Sequence, residues 1–148
     1  MLLFLEQLLN GLQQGVMLFL LAAGLTLIFG IMGVINLAHG SLYMIGAYAA
    51  AVAAAKTGSF AIAALAGLAA AGATGLLLEF LVIRKLYSRE HLDQVLATYG
   101  VLLFANELMV VLNGRTPLFM QVPPALAGSV EVLPGVPYPT FRLAIIGV

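Results

Sequence analysis

Residues 7–55 read QLLNGLQQGVMLFLLAAGLTLIFGIMGVINLAHGSLYMIGAYAAAVAAA, with no Asp, Glu, Lys or Arg among them. Lys56 ends the run, and residues 57–78 are again free of those four residue types. A hydrocarbon slab of about 30 Å asks a spanning helix for ~20 consecutive apolar residues, and the first run has room for two such helices. Across all 148 residues 63% are hydrophobic, 8% are charged and the mean hydropathy is +1.12. A soluble domain carries about 25% charged residues. The chain is an integral membrane protein.

That reading excludes several classes of function. Six basic and six acidic residues cancel, so there is no polycationic surface for nucleic acid. There are no cysteines, hence no thiolate metal site and no Cys nucleophile. His39 and His91 lie far apart with no carboxylates at metal-ligand spacing. His39 and Ser41, two residues apart, would point away from each other on a helix and have no orienting carboxylate. No GxxxxGK[ST] loop is present. The residues thus give no enzyme, no ATP hydrolysis in this chain, no cofactor and no metal. No Lys or Arg precedes Lys56, so the first apolar run lacks a signal peptide's basic flank and reads as a retained span.

Working outward, the pattern predicts an all-α polytopic bundle of about four complete helices and the start of a fifth. Segment one covers 8–33 and carries Gly11 and Gly15, a GxxxG step that would admit a close neighbour. The polar stretch 36–41 then interrupts the run, leaving a short segment two at 42–55. Either segment two begins earlier, near Asn36, or 36–41 is unwound backbone at membrane depth. Lys56-Thr-Gly-Ser59 makes a turn in which Ser59 can cap segment three at 60–83. That segment is rich in Ala and carries Gly67, Gly72 and Gly75, which suits packing against other helices. Five charges crowd 84–93, which must lie outside the bilayer, and Asp93 can cap segment four at 94–112. Asn113-Gly114 ends it. All six prolines fall from Pro117 to Pro139, so 115–140 reads as a loop, with short strands around 130–133. Phe141 begins a fifth apolar run that stops at Val148, and the chain is expected to be a fragment. Arg84, Lys85 and Arg89 make 84–93 a cytoplasmic loop, which puts the N-terminus and the Pro-rich loop on the outer, periplasmic side.

Among residues that could carry function, Asn36, His39 and Ser41 come first, because an unwound segment in a membrane needs protein or a wet cavity to satisfy its backbone. An ordinary turn between two short helices, with His39 at the interface, accounts for the spacing equally well. Glu107 lies 14 residues beyond Asp93, about 21 Å along a helix. It is an intramembrane acidic candidate, or else an interfacial residue paired with Arg115 or water. Glu79 can snorkel towards Arg84 and Lys85. Thr98 and Tyr99 form a second polar break, for which a helix-bonded packing site is favoured. Tyr43 and Tyr48 can line a path or anchor an interface.

At 30–46, GIMGVINLAHGSLYMIG, the sequence resembles permeases of branched-chain amino-acid ABC importers of the LivH type. The core Ile35-Asn-Leu-Ala-His39-Gly40 carries the signal, supported by Asn10-Gly11, the stretch Gly24 to Gly30, Glu79 with Arg84, and Ala97-Thr98-Tyr99-Gly100. The resemblance implies a single permease domain over 1–148 in a bacterial inner membrane. It implies as partners a second related permease, two cytoplasmic ATPases and a periplasmic binding protein. It implies that Asn36, His39, Ser41 and Tyr43 line a substrate path, with Thr98 and Tyr99 secondary. Family members are about twice as long, and the solute stays open among branched-chain amino acids, urea and short amides. Two other classes stand beside it: a small homo-oligomeric passive channel for a small polar solute, and a non-transporting membrane scaffold.

Overall fold

The computed structural model describes residues 2–116, 118, 122, 127–133 and 136–147. They fall into two compact units, residues 25–120 and residues 1–24 with 121–148. Helix α1 (Leu2–Met32) contributes to both. It runs 31 residues without a break because its sequence offers no Pro and no charge after Glu6. Gly33 stops it: φ is +65° there, a conformation open to Gly, and its N–H closes the last turn on the Phe29 carbonyl at 2.8 Å.

Residues 33–38 are not helical, and α2 (His39–Thr57) starts only at His39. Both alternatives for this region therefore hold in part: segment two begins earlier than 42, and an unwound stretch precedes it. The break sits three residues before the stretch read from polarity, because Gly33 sets its start and Ser41 already belongs to α2. At 19 residues α2 reaches about 28 Å. Gly58 ends it and α3 (Phe60–Leu78) follows from Ser59, which takes the cap position through its carbonyl rather than its hydroxyl. The helix continues through one π-helical turn, Glu79–Ile83, into α4 (Arg84–Leu86), so it ends three residues later than Ile83. Only 87–90 separate it from α5 (His91–Asn113). Glu90, not Asp93, holds the cap position; Asp93 lies in the first turn, where a negative charge still suits the helix dipole.

Among the described residues, three helices are long and apolar enough to cross a membrane: Leu3–Met32, Phe60–Leu86 and His91–Asn113. Their outward faces carry large apolar side chains such as Leu68, Leu81, Phe104 and Val111, all well exposed. The interior of residues 25–120 is narrow and partly polar, as expected where lipid solvates the outside. The molecule is an all-α polytopic membrane protein with multiple spans. Helices α2 and α3 meet at small residues, and a Cβ on Gly67 would stand 2.9 Å from the Gly46 carbonyl oxygen and 3.1 Å from Ala50 Cβ. The predicted small-residue face thus packs at Gly67, while Gly72 faces open space and Gly75 meets only Leu42 at 3.7 Å. Gly11 and Gly15 have no described atom within 4 Å, so their GxxxG step forms no helix contact among the described residues.

In the other unit a hairpin pairs β1 (Ser129–Leu133) with β2 (Val136–Pro139), antiparallel, where short strands were expected. It leads into α6 (Thr140–Ile146), which is helical where the sequence opens its fifth apolar run. Thr140 fixes the junction by donating its N–H and its hydroxyl to the Gly128 carbonyl, at 2.9 and 2.8 Å. Tyr138 is 1% exposed and donates its hydroxyl to Asn10 Oδ1 at 3.1 Å, and Arg142 Nη1 reaches the same oxygen at 2.6 Å. Of the Pro-rich region, Pro117 and residues 119–121, 123–126, 134 and 135 lie outside the described residues.

Candidate functional site

Of the six residues between α1 and α2, Gly33 closes the last turn of α1, and the next five lie outside any helix in a largely buried stretch. A buried unpaired amide costs about 1–3 kcal/mol. Helix α5 supplies partners. Gln94 Oε1 accepts the Ile35 N–H at 3.2 Å, and Thr98 Oγ1 accepts the Leu37 N–H at 3.1 Å. These two side chains stand four residues apart on α5 and so share one face of it. Asn36 Oδ1 accepts the Ala38 N–H at 3.0 Å, and the Asn36 carbonyl takes His39 N–H at 3.3 Å. A short Asx turn thereby hands the chain over to α2.

Each clamp residue is satisfied in turn. Gln94 Nε2 donates to the Leu86 and Arg89 carbonyls, both at 3.2 Å, so all three of its polar hydrogens and acceptors in use fix its orientation. The Thr98 hydroxyl has one hydrogen, and the Gln94 carbonyl at 2.7 Å is its nearest acceptor, with the Ile35 and Val95 carbonyls at 3.3 Å. Gln94 is 2% exposed and Thr98 fully buried. Apolar packing closes the break from the other side: Val34 and Ala38 form a buried cluster with Leu78 and Ile83, against which Leu42, Val82 and Val101 pack. The unwound segment is therefore a core element of its unit, held by side chains about sixty residues away in sequence.

The predicted site residues divide. Asn36, Ser41 and Thr98 are buried around the break, with His39 half-buried beside them. Two polar atoms there, His39 Nδ1 and Ser41 Oγ, are buried with no hydrogen-bond partner among the described residues. Tyr43 and Tyr99 are not part of this cluster; they are 50% and 49% exposed on the helix surfaces. Glu107 is exposed on α5 and has no ion pair with Arg115 among the described residues. Glu79 Oε1 accepts the Tyr87 hydroxyl at 2.8 Å rather than reaching Arg84 or Lys85. Tyr87, beyond the end of the span, ionises above the ordinary tyrosine value through desolvation and then the Glu79 hydrogen bond and charge. An open groove of about 430 Å³ lies between α2 and α5, lined by Tyr48, Val52, Lys56 and Met109 among others; Tyr48 is the tyrosine read above as able to line a path, while Asn36, His39, Ser41, Tyr43, Thr98, Tyr99 and Glu107 do not line this groove.

Gln94 went unread in the sequence because Asp93 beside it looked like the functional residue of that turn, as a cap. The signal was the Gln94-x-x-x-Thr98 spacing, two hydrogen-bonding side chains on one face of an otherwise apolar helix.

A bundle of apolar helices whose first two are joined by a buried, side-chain-clamped break is a multi-pass membrane protein, not a single-pass anchor. Residues 7–123 match the family "Branched-chain amino acid transport system / permease component", and the chain belongs to that family. Among curated relatives it is 31% identical over 120 residues to the high-affinity branched-chain amino acid transport system permease protein LivH of Escherichia coli K12, covering 75% of this chain and 39% of that one. It is 52% identical over 50 residues to the corresponding permease protein BraD of Pseudomonas aeruginosa, covering 34% of this chain and 16% of that one. The chain thus spans less than two-fifths of the length of these relatives. No solved structure matches it.

Proposed function

We propose that this chain is part of the permease subunit of an ATP-driven importer that moves branched-chain amino acids across a bacterial inner membrane. On this reading it is a transport component and not an enzyme, with hydrolysis carried by separate cytoplasmic ATPases. A second permease completes the pathway, and a periplasmic binding protein delivers solute. The N-terminus and the Pro-rich loop lie on the periplasmic side, since Arg84, Lys85 and Arg89 concentrate positive charge at the opposite end. One observation carries the reading. The motif Ile35-Asn-Leu-Ala-His39-Gly40, on which the family resemblance rests, overlaps the buried break and holds His39 Nδ1, which with the adjoining Ser41 Oγ is buried without a partner among the described residues. Polar groups kept buried without partners at a helix break are what a passing zwitterion could engage transiently.

The test is uptake of labelled leucine by cells making the full-length permease with its partners. His39→Leu is expected to lower uptake roughly tenfold, the equivalent of one lost polar contact, with the amount of protein in the membrane unchanged. Uptake should also vanish when the ATPases are absent. Uptake that persists without them contradicts the importer reading and favours the passive channel; normal uptake by His39→Leu removes His39 from the path.

A further inference from the structure

We infer that Gln94 is a positioning residue that ties the turn at 86–90 to the helix break, so that the turn's conformation sets the conformation of residues 35–38. This rests on the transport reading above and adds to it how movement at one end of the bundle reaches the site. Gln94 is a single rigid link with two ends. Its amide nitrogen holds the Leu86 and Arg89 carbonyls, which are the end of the α3–α4 helix and the turn after it. Its amide oxygen holds the Ile35 N–H, 59 residues away in the middle of the break. Neither end can move alone without stranding a polar group in a site only 2% exposed.

The local structure makes the turn the place where movement can enter. The π-helical turn Glu79–Ile83 shifts the helix register just before it, and single π-turns of this kind occur frequently at functional sites. Ile83, in that turn, also packs in the cluster containing Val34 and Ala38. The π-helical turn thus shares an apolar contact with the break, beside the Gln94 link that joins the break to the turn at 86–90. Thr98 has no second end of this kind: its partners are the break and its own helix. The two clamp residues therefore have separable roles, Thr98 holding the break and Gln94 coupling it.

The experiment uses the full permease with its ATPases and binding protein in proteoliposomes, and the variant Gln94→Glu. A carboxyl there keeps an acceptor for Ile35 N–H but brings at most one hydrogen where the amide brings two, so the Leu86 and Arg89 carbonyls cannot both keep their donor. Solute uptake is expected to fall roughly tenfold while binding-protein-stimulated ATP hydrolysis stays within about twofold, a split that loss of fold would not produce. A second reading needs no transport: Gly40→Cys, placed where a Cβ meets open space, is labelled with maleimide with and without Gln94→Glu. This chain has no other cysteine. The labelling rate is expected to rise several-fold with Gln94→Glu and to change less with Thr98→Ser. If uptake and hydrolysis fall in proportion with labelling unchanged, Gln94 is a packing residue and the inference is overturned. It is equally overturned if Gln94→Glu behaves as the parent in all three readouts. If the parent complex moves no branched-chain amino acid yet labelling responds to Gln94→Glu, the solute assignment fails and the link stands.

Discussion

Thr98→Val is expected to destabilise the protein by about 2 kcal/mol, because the change keeps the shape of the side chain and removes only its hydroxyl. The Leu37 N–H then has no acceptor, and it lies in a region where the neighbouring Val34 and Ala38 are 1% and 0% exposed. Water cannot replace the lost partner there without opening the cluster around Leu78 and Ile83. Thr98→Ser is the matched control. It keeps the hydroxyl and loses one methyl group, worth about 0.8 kcal/mol. Equilibrium unfolding in mixed detergent micelles measures both. Equal losses for Val and Ser would mean that the methyl group's packing, and not the hydrogen bond to the break, is what Thr98 contributes.

The second large effect is expected at the α2–α3 contact. In a bilayer, helices gain little from hiding apolar surface from water, so close approach of backbones has to supply the attraction. Gly67 and Gly46 provide it: each glycine's missing Cβ would come within 3.1 Å or less of the other's carbonyl oxygen. Gly67→Leu must therefore separate the two helices, at a cost of about 3 kcal/mol, and release α2 from its place beside the break. Gly72→Leu lies on the same helix five residues on, with no described atom within 4 Å, and should stay within about 0.5 kcal/mol of the parent. The comparison isolates contact from helix propensity, since both changes replace Gly with the better helix former. Equal destabilisation by the two would refute the Gly46–Gly67 contact as the basis of α2–α3 packing.

Composition made the helices legible, and for a physical reason. A bilayer forces every spanning segment to be apolar and hydrogen-bonded within itself, so the runs 7–55 and 57–78 declare themselves. The strands near 130–133 could be read because Val130, Val132 and Leu133 lie between turn-forming residues. What could not be read was which polar residues meet. The Ile35 and Leu37 amides find their acceptors 59 and 61 residues along the chain, and Tyr138 finds Asn10 across 128 residues. Periodicity reports the faces of one helix and is silent about its neighbour. The same limit explains the glycines. Gly11-x-x-x-Gly15 has the motif without a described contact, whereas Gly67, with no second glycine at that spacing, makes the close approach through Gly46 and Ala50. Asn36, Ser41 and Thr98 stand out by polarity, and all three are buried at or beside the break. Tyr43 and Tyr99 share that polarity signal, but two residues' rotation from Ser41 and one from Thr98 leave them half exposed on the helix surfaces.

The central claim is that residues 34–38 form a largely buried break whose Ile35 and Leu37 amides are held by α5. Amide hydrogen exchange, resolved at single residues in the intact protein, tests it most directly. The account predicts slow exchange at Ile35, Leu37 and Ala38, comparable to amides inside α2, with Leu37 released by at least tenfold in Thr98→Val. Fast exchange at Ile35 and Leu37 in the parent protein, or rates in Thr98→Val no different from the parent, would contradict it.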